Sequence, residues 1–416
     1  MEATVCHPNK MAMISSESLI ASISGRATEV DYLSTSPMAD SILVAWHRID
    51  SKRQGTLNVH ANYWWKSSGY AMAILLGNAG YSYAARIRIL DFFSRCIAPN
   101  LGTANEPEVE RWKSFMTDDH NPIELSWDWH TGYEPPTIRF SIEPVGEEAG
   151  TVKDPHNRLV ADEFLKAVLQ DLPATNLQWF YHFESYFGPG AKHHSPVGHQ
   201  SHIFWAFDLD EKDITAKAYF FPEYRAHVTQ KTNIQVISEA IEAAPSCTSE
   251  DLSALYTFQE FVREQAKLLL EMNMLAIDLV KPSQSRFKIY FRTRETSFGS
   301  VREVMTLGGR STNSDMVTGL QSLRHLWDNL FDKQGVPDNS PLSASKHRTA
   351  GILYYVEFRL GSKALKVKIY IPVRHYAQND WQIMSAVSDF MCPDGNTQSN
   401  ARQTPLAFRE AMCNML

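Results

Sequence analysis

Apolar and polar residues alternate along this chain in four paired runs, each pair broken by a turn rich in Gly, Pro, Asp or Ser, and this pattern predicts four β-hairpins. The first joins Glu124–Trp129 to Thr137–Glu143 through Gly132 and Pro135-Pro136. The second joins Ile203–Phe207 to Thr215–Phe221. The third joins Leu275–Val280 to Arg286–Arg292, and the fourth Gly351–Arg359 to Leu365–Ile371. Between them the period lengthens to that of helices, two per gap: about 160–172 and 175–187, 232–244 and 249–273, 299–306 and 314–331. Thr248-Ser-Glu-Asp251 has the form of a capping box for the long helix after it. A further helical pair, near 63–77 and 81–97, precedes the first hairpin, and another, near 379–391 and 403–415, follows the last.

The chain therefore reads as a repeated helix-strand-strand-helix unit. The first basic residue in the second strand of each hairpin, Arg139, Lys217, Arg286 and Lys366, recurs at separations of 78, 69 and 80 residues. Another step would put a fifth hairpin near position 441, so the pattern predicts a sheet whose last hairpin is missing. No linker-like stretch interrupts the repeat, which predicts one α+β domain over 1–416. Residues 1 to about 40 are expected to be less ordered, and about 396–416 atypical.

Residues two apart in a strand share a face. Lys217, Tyr219 and Phe221 thus point one way; so do Arg286, Lys288, Tyr290 and Arg292, and so do Lys366, Lys368 and Tyr370. In the first hairpin Arg139, Ser141 and Glu143 share a face. One such strand is read most simply as the wet face of a helix-backed sheet. Three strands that each place a tyrosine two residues after a lysine predict something else, because clustered cations repel unless an anion joins them. If the strands close into a barrel, Arg139, Lys217, Arg286, Lys288 and Lys368 line its lumen and suit a diphosphate. The tyrosines beside them can donate to phosphate oxygens and offer π faces to a carbocation.

Composition narrows the partners. With Lys+Arg 40 against Asp+Glu 47 the net charge is -7, so nothing attracts the chain as a whole to nucleic acid or to an anionic membrane. Five scattered cysteines without metal-type spacing read as reduced thiols, and no run of about 18 apolar residues occurs, so a cytoplasmic monomer or homodimer is expected.

From about Tyr63 to Met391 the chain resembles the fungal aromatic (indole) prenyltransferases typified by dimethylallyltryptophan synthase. The resemblance rests on Trp64-Trp-Lys66, Ala79-Gly-Tyr81, Pro122-Ile-Glu-Leu-Ser-Trp127, Ile138-Arg-Phe140, Lys217-Ala-Tyr-Phe-Phe-Pro222, Ser285-Arg-Phe-Lys-Ile-Tyr290 and Lys368-Ile-Tyr-Ile-Pro-Val-Arg-His-Tyr376. It implies an antiparallel ten-stranded barrel inside a ring of helices, the ABBA barrel. It also implies transfer of a dimethylallyl group from dimethylallyl diphosphate, the co-substrate, to an indole-type small molecule, with no metal. By matching position, Glu124 would accept the indole N–H. Arg139, Lys217, Arg286 and Lys288 would bind the diphosphate, with Tyr219, Tyr290 and Tyr370 in a tyrosine shield. Lys368 stands where some members carry Gln, and Lys366 is extra to the pattern.

Two departures accompany the resemblance. Phe204 occupies the position at which members that alkylate C4 of free tryptophan carry a lysine, which argues against that chemistry and leaves cyclic dipeptides, other indoles or phenols. Asn396–Leu416 does not resemble the family's last strands, which normally bring a further tyrosine pair. An inactive or truncated diphosphate-binding homologue with an open sheet is the alternative expectation.

Other signals carry less. His193, His194, His199 and His202 read as a solvated loop, since no acidic or cysteine ligand pattern accompanies them. Asp118-Asp119 continues as His-Asn-Pro and reads as a turn rather than a magnesium motif. Neither Gly308-Gly309 nor Gly188-Pro-Gly190 forms a phosphate loop. Trp64, Trp65, Trp127 and Trp129 are expected in the core.

Overall fold

The computed structural model describes residues 2–5, 12–15, 37–104, 112–129, 135–188, 199–391 and 400–415. Ten strands form one closed antiparallel barrel: β1 (Glu2–Val5), β2 (Ala12–Ser15), β3 (Ile123–Trp129), β4 (Thr137–Ile142), β5 (Ile203–Leu209), β6 (Ile214–Phe220), β7 (Glu271–Asp278), β8 (Phe287–Thr293), β9 (Ile352–Phe358) and β10 (Lys366–Ile371). The four hairpins stand where alternation predicts them. Each strand from β2 to β9 pairs with its successor, and β1 pairs with both β2 and β10 to close the ring.

That closure corrects the expectation of a missing wall. No hairpin follows β10 among the described residues; its place between β10 and β3 is taken by the N-terminal hairpin, with Thr4 opposite Tyr370 and Ile14 opposite Trp127. The segment expected to be less ordered thus supplies two strands.

Helices wrap the barrel: α1 (Pro37–Arg53), α2 (59–78, with a π-helical stretch at Trp65–Gly69), α3 (Tyr83–Phe92), α4 (Val160–Asp171), α5 (Gln178–Phe187), α6 (Glu223–Thr229), α7 (Asn233–Glu242), α8 (Ser253–Glu264), α9 (Phe298–Met305), α10 (Ser314–Phe331), α11 (Asp380–Met391) and α12 (Asn400–Met415). The long helix expected over 249–273 is shorter. It starts as a 3-10 turn and ends at Glu264, and β7 takes the chain from Glu271. The Thr248 side chain does not accept from a backbone N–H of the first turn; its hydroxyl donates instead to the Asp251 carboxylate at 2.7 Å. A reciprocal capping box does form at Thr232 and Gln235, ahead of α7.

The core fills the layer between barrel and helices. Outward residues of the strands, among them Trp127, Trp129, Phe140, Phe207, Phe220, Phe287 and Phe291, are buried, each contributing about 1.5 to 3 kcal/mol. Trp64 and Trp65 are buried too, as expected. Tyr81 pins the helical layer to the sheet: its hydroxyl donates to the Leu209 carbonyl at 2.7 Å and accepts from the Ile138 N–H at 2.9 Å. On the side of β3, α12 sets Phe408 edge-on to Trp127 and Trp129.

Candidate functional site

Strand register decides which side chains meet inside the barrel. One row runs Glu124, Ser141, Ala206, Lys217 and Asp278 across β3 to β7. The next runs Phe204, Tyr219, Ala276, Lys288, Glu357 and Lys366, and a third Met274, Tyr290, Tyr355 and Lys368. Arg292, Leu353 and Tyr370 form a fourth. These rows wall a cavity of about 260 Å3 lined by Glu124, Arg139, Lys217, Tyr219, Lys288, Tyr290, Lys368 and Tyr370. Of the residues singled out by sequence, Arg286 does not line it. Just before β8, it reaches the cluster through Asp278, which also binds Lys288.

The cations are not alone. Arg139 pairs with Asp128 at 2.5 Å and Asp208 at 2.9 Å, and Lys217 with Asp208 at 2.5 Å. Arg286 pairs with Asp278 at 2.5 Å and Glu357 at 3.2 Å, and Lys288 with Asp278 at 3.1 Å. Burial alone would push the Asp208 and Asp278 carboxyls up; the surrounding cations outweigh it and hold both well below the usual carboxylate range. Burial pulls Lys288 down to about 7, and neighbouring Lys217 adds to the effect. Repulsion among the cations is therefore already relieved by carboxylates from the first strands of the hairpins. These aspartates were not singled out by sequence; cross-strand register shows which cation each one meets.

Beside the charges lies a patch of tyrosines. Ring centroids of Tyr290 stand 5.8 Å from Tyr219, 5.1 Å from Tyr355 and 6.0 Å from Tyr370, and the Tyr290 and Tyr370 hydroxyls are 3.5 Å apart. Lys368 Nζ sits 5.8 Å and 5.7 Å from the Tyr355 and Tyr370 rings. Tyr355 was not singled out by sequence; its neighbour Tyr354 faces outward and stacks on Phe291. Neither β1 nor β2, where a final hairpin would bring another tyrosine pair, contains a tyrosine.

The rim of the cavity is apolar. Met116, Phe204 and Phe221 pack together, and His199 stacks on Phe115 at 3.8 Å and meets Phe221 edge-on at 4.4 Å. His199 is thus part of the wall, not of a solvated loop; burial pushes it down to about 3. His193 and His194 lie outside the described residues. Asp118 sits in a turn and ties two rim segments together, forming ion pairs with Arg348 at 3.0 Å and with Arg374. Among the described residues no group of three or more His, Cys, Asp or Glu is arranged to hold a metal ion, and no helix is long and apolar enough to cross a membrane.

Comparison with known proteins agrees with this architecture. The family model described as tryptophan dimethylallyltransferase matches residues 60–404. A 4-O-dimethylallyl-L-tyrosine synthase of Claviceps purpurea is 34% identical over 347 residues, covering 81% of this chain and 77% of that protein. A 7-dimethylallyltryptophan synthase of Aspergillus fumigatus is 33% identical, covering 79% and 73%. The crystal structure of AnaPT from Neosartorya fischeri superposes with a TM-score of 0.73 at 25% identity, covering 88% of each chain. That of NotF with brevianamide F and DMSPP gives 0.71 at 23%, covering 86% and 87%. With a family match across most of its length and relatives above 30% identity, this chain belongs to the fungal tryptophan dimethylallyltransferase family of aromatic prenyltransferases.

Proposed function

We propose that the barrel transfers a dimethylallyl group from dimethylallyl diphosphate to an indole-type acceptor, without a metal. The observation that carries this reading is the shared cavity itself: Glu124 stands in one cross-strand row with Lys217, next to the rows that hold Lys288, Lys368 and the tyrosine patch.

In this reading Arg139, Lys217, Lys288 and Lys368 hold the diphosphate, and Arg286 supports them through Asp278. The allylic C–O bond breaks and the electron pair leaves with the diphosphate, whose growing charge the cations stabilise more than they stabilise the intact donor. Tyr219, Tyr290, Tyr355 and Tyr370 turn π faces to the allyl cation. Glu124 accepts the indole N–H, so positive charge develops in the ring beside a carboxylate as the new C–C bond forms. The ring proton then leaves, with the released diphosphate at hand to take it, and aromaticity returns. The closed wall keeps bulk water from capturing the cation.

Phenols form a second acceptor class, since Glu124 can accept a phenolic O–H in the same way and the 34% identical relative is a tyrosine 4-O-dimethylallyl synthase. Closure by the N-terminal hairpin removes the motive for reading the chain as an inert, open-barrelled homologue. Scattered thiols such as Cys96 and Cys247 suit the cytoplasm.

Incubation with dimethylallyl diphosphate, a panel of indoles and phenols, and EDTA should yield a prenylated aromatic. A strict requirement for magnesium, or release of dimethylallyl alcohol alone with every acceptor, would overturn the reading.

A further inference from the structure

Glu223 has no role in that reaction, yet it is part of the same cavity wall. It follows β6 through Pro222 and opens α6, and it lines the cavity alongside Lys217, Tyr219 and Phe221. It also borders a second cavity, of about 690 Å3, between α4, α5 and the barrel, a position it shares with His199 and Phe221. Its Oε2 is buried and has no hydrogen-bond partner among the described residues. No described cation forms an ion pair with it, whereas the other rim carboxylate, Glu271, is paired with Arg294 at 3.0 Å. Phe115, Phe221 and a neutral His199 line the same cavity and cannot compensate a negative charge, and the arginines of that lining are engaged elsewhere, Arg294 with Glu271, Arg348 with Asp118 and Arg292 with the Thr349 carbonyl. Burial accordingly pushes Glu223 up to about 7. Asn273 Oδ1, on the bulged stretch of β7, is a second cavity-lining acceptor without a partner.

Unsatisfied acceptors at the rim of a binding cavity call for a donor from the ligand, because desolvation has already been incurred and only a bound donor offsets it. An ammonium group brings three N–H donors and the missing charge together. The apolar rim formed by Met116, Phe204 and Phe221 suits the short hydrocarbon tether between such a group and an aromatic ring. Resting on the prenyl-transfer reading above, we infer that Glu223 is a specificity-determining residue that binds a cationic amine on the acceptor's side chain, so that the preferred substrates are aromatic amines.

Two probes of like shape test this: tryptamine, and 3-propylindole, which replaces the ammonium by a methyl group. Calorimetric titration of the full chain, with dimethylallyl thiolodiphosphate bound, should show tryptamine binding about tenfold or more tighter than 3-propylindole. In Glu223→Gln, which keeps the shape and removes the charge, that ratio should collapse toward one. Absence of a preference for tryptamine in the parent chain, a preference that survives in Glu223→Gln, or failure of both probes to bind overturns the inference. Turnover is scored separately. A Glu223-dependent preference without any prenylated product would sink the proposed chemistry and leave the amine site standing, and product formation from both probes at equal KM would do the reverse.

Discussion

Lys217 holds its ammonium 2.5 Å from the Asp208 carboxylate on the neighbouring strand, and the same carboxylate takes Arg139 at 2.9 Å. An arriving diphosphate therefore joins a cluster that is already partly neutralised. Asp208→Asn should leave both cations undercompensated in a buried setting, lowering stability by about 3 kcal/mol. Inorganic pyrophosphate should then raise the melting temperature of the variant more than that of the parent chain. Equal shifts in scanning calorimetry would show that the anion does not reach this pair.

Lys288 should make donor binding depend on pH. Burial and Lys217 lower its pKa to about 7, so in the free protein the ammonium is present below that pH and lost above it. The KM for dimethylallyl diphosphate should rise as the pH climbs from about 7 to about 9. Lys288→Arg, which stays charged throughout, should flatten that rise; the donor's own titration is common to both proteins and cancels in the comparison.

Glu124→Gln should lower kcat on indoles about a hundredfold or more while leaving the KM for the donor in place. The amide can no longer balance the charge that grows in the ring. Undiminished turnover would remove Glu124 from the role proposed for it.

The N-terminal hairpin should matter to chemistry as well as to folding. Deleting residues 1–16 exposes the unpaired edges of β10 and β3. Light scattering should show association of the shortened protein. Whatever monomer remains should release a larger share of dimethylallyl alcohol relative to prenylated product, since water gains a route to the cation.

Much of this molecule is written locally. Alternation found β3 to β6 and β8 to β10 to within two residues, because each carries a greasy face under helices and a polar face toward the lumen. Its failures have physical causes. Strands β1 and β2 are four residues long, too short for a period of two to stand out, and they exist by pairing with segments more than a hundred positions away. Strand β7 begins at Glu271, inside the run expected as helix, since Met272, Asn273 and Met274 carry a bulge that breaks alternation. In the site, lysines and tyrosines were visible as repeated spacings on second strands. Asp208, Asp278 and Tyr355 came into view only when register set the first strands against them. Glu223 lies beyond the end of its strand, where periodicity has nothing to say.

The seam of the barrel has a consequence in time. Ala3 pairs with Ile371 across 368 positions of chain, so the strand synthesised first waits for the one synthesised last on that side. Until β10 is delivered, the hairpin at the start of the chain can hold only β3, and the eight strands from β3 to β10 must assemble as an open, curling sheet. Such a long loop makes the final annealing the slowest kind of contact to form. A bulky fusion ahead of Glu2 would burden that last event directly, whereas the same fusion after α12 would leave the seam free to zip.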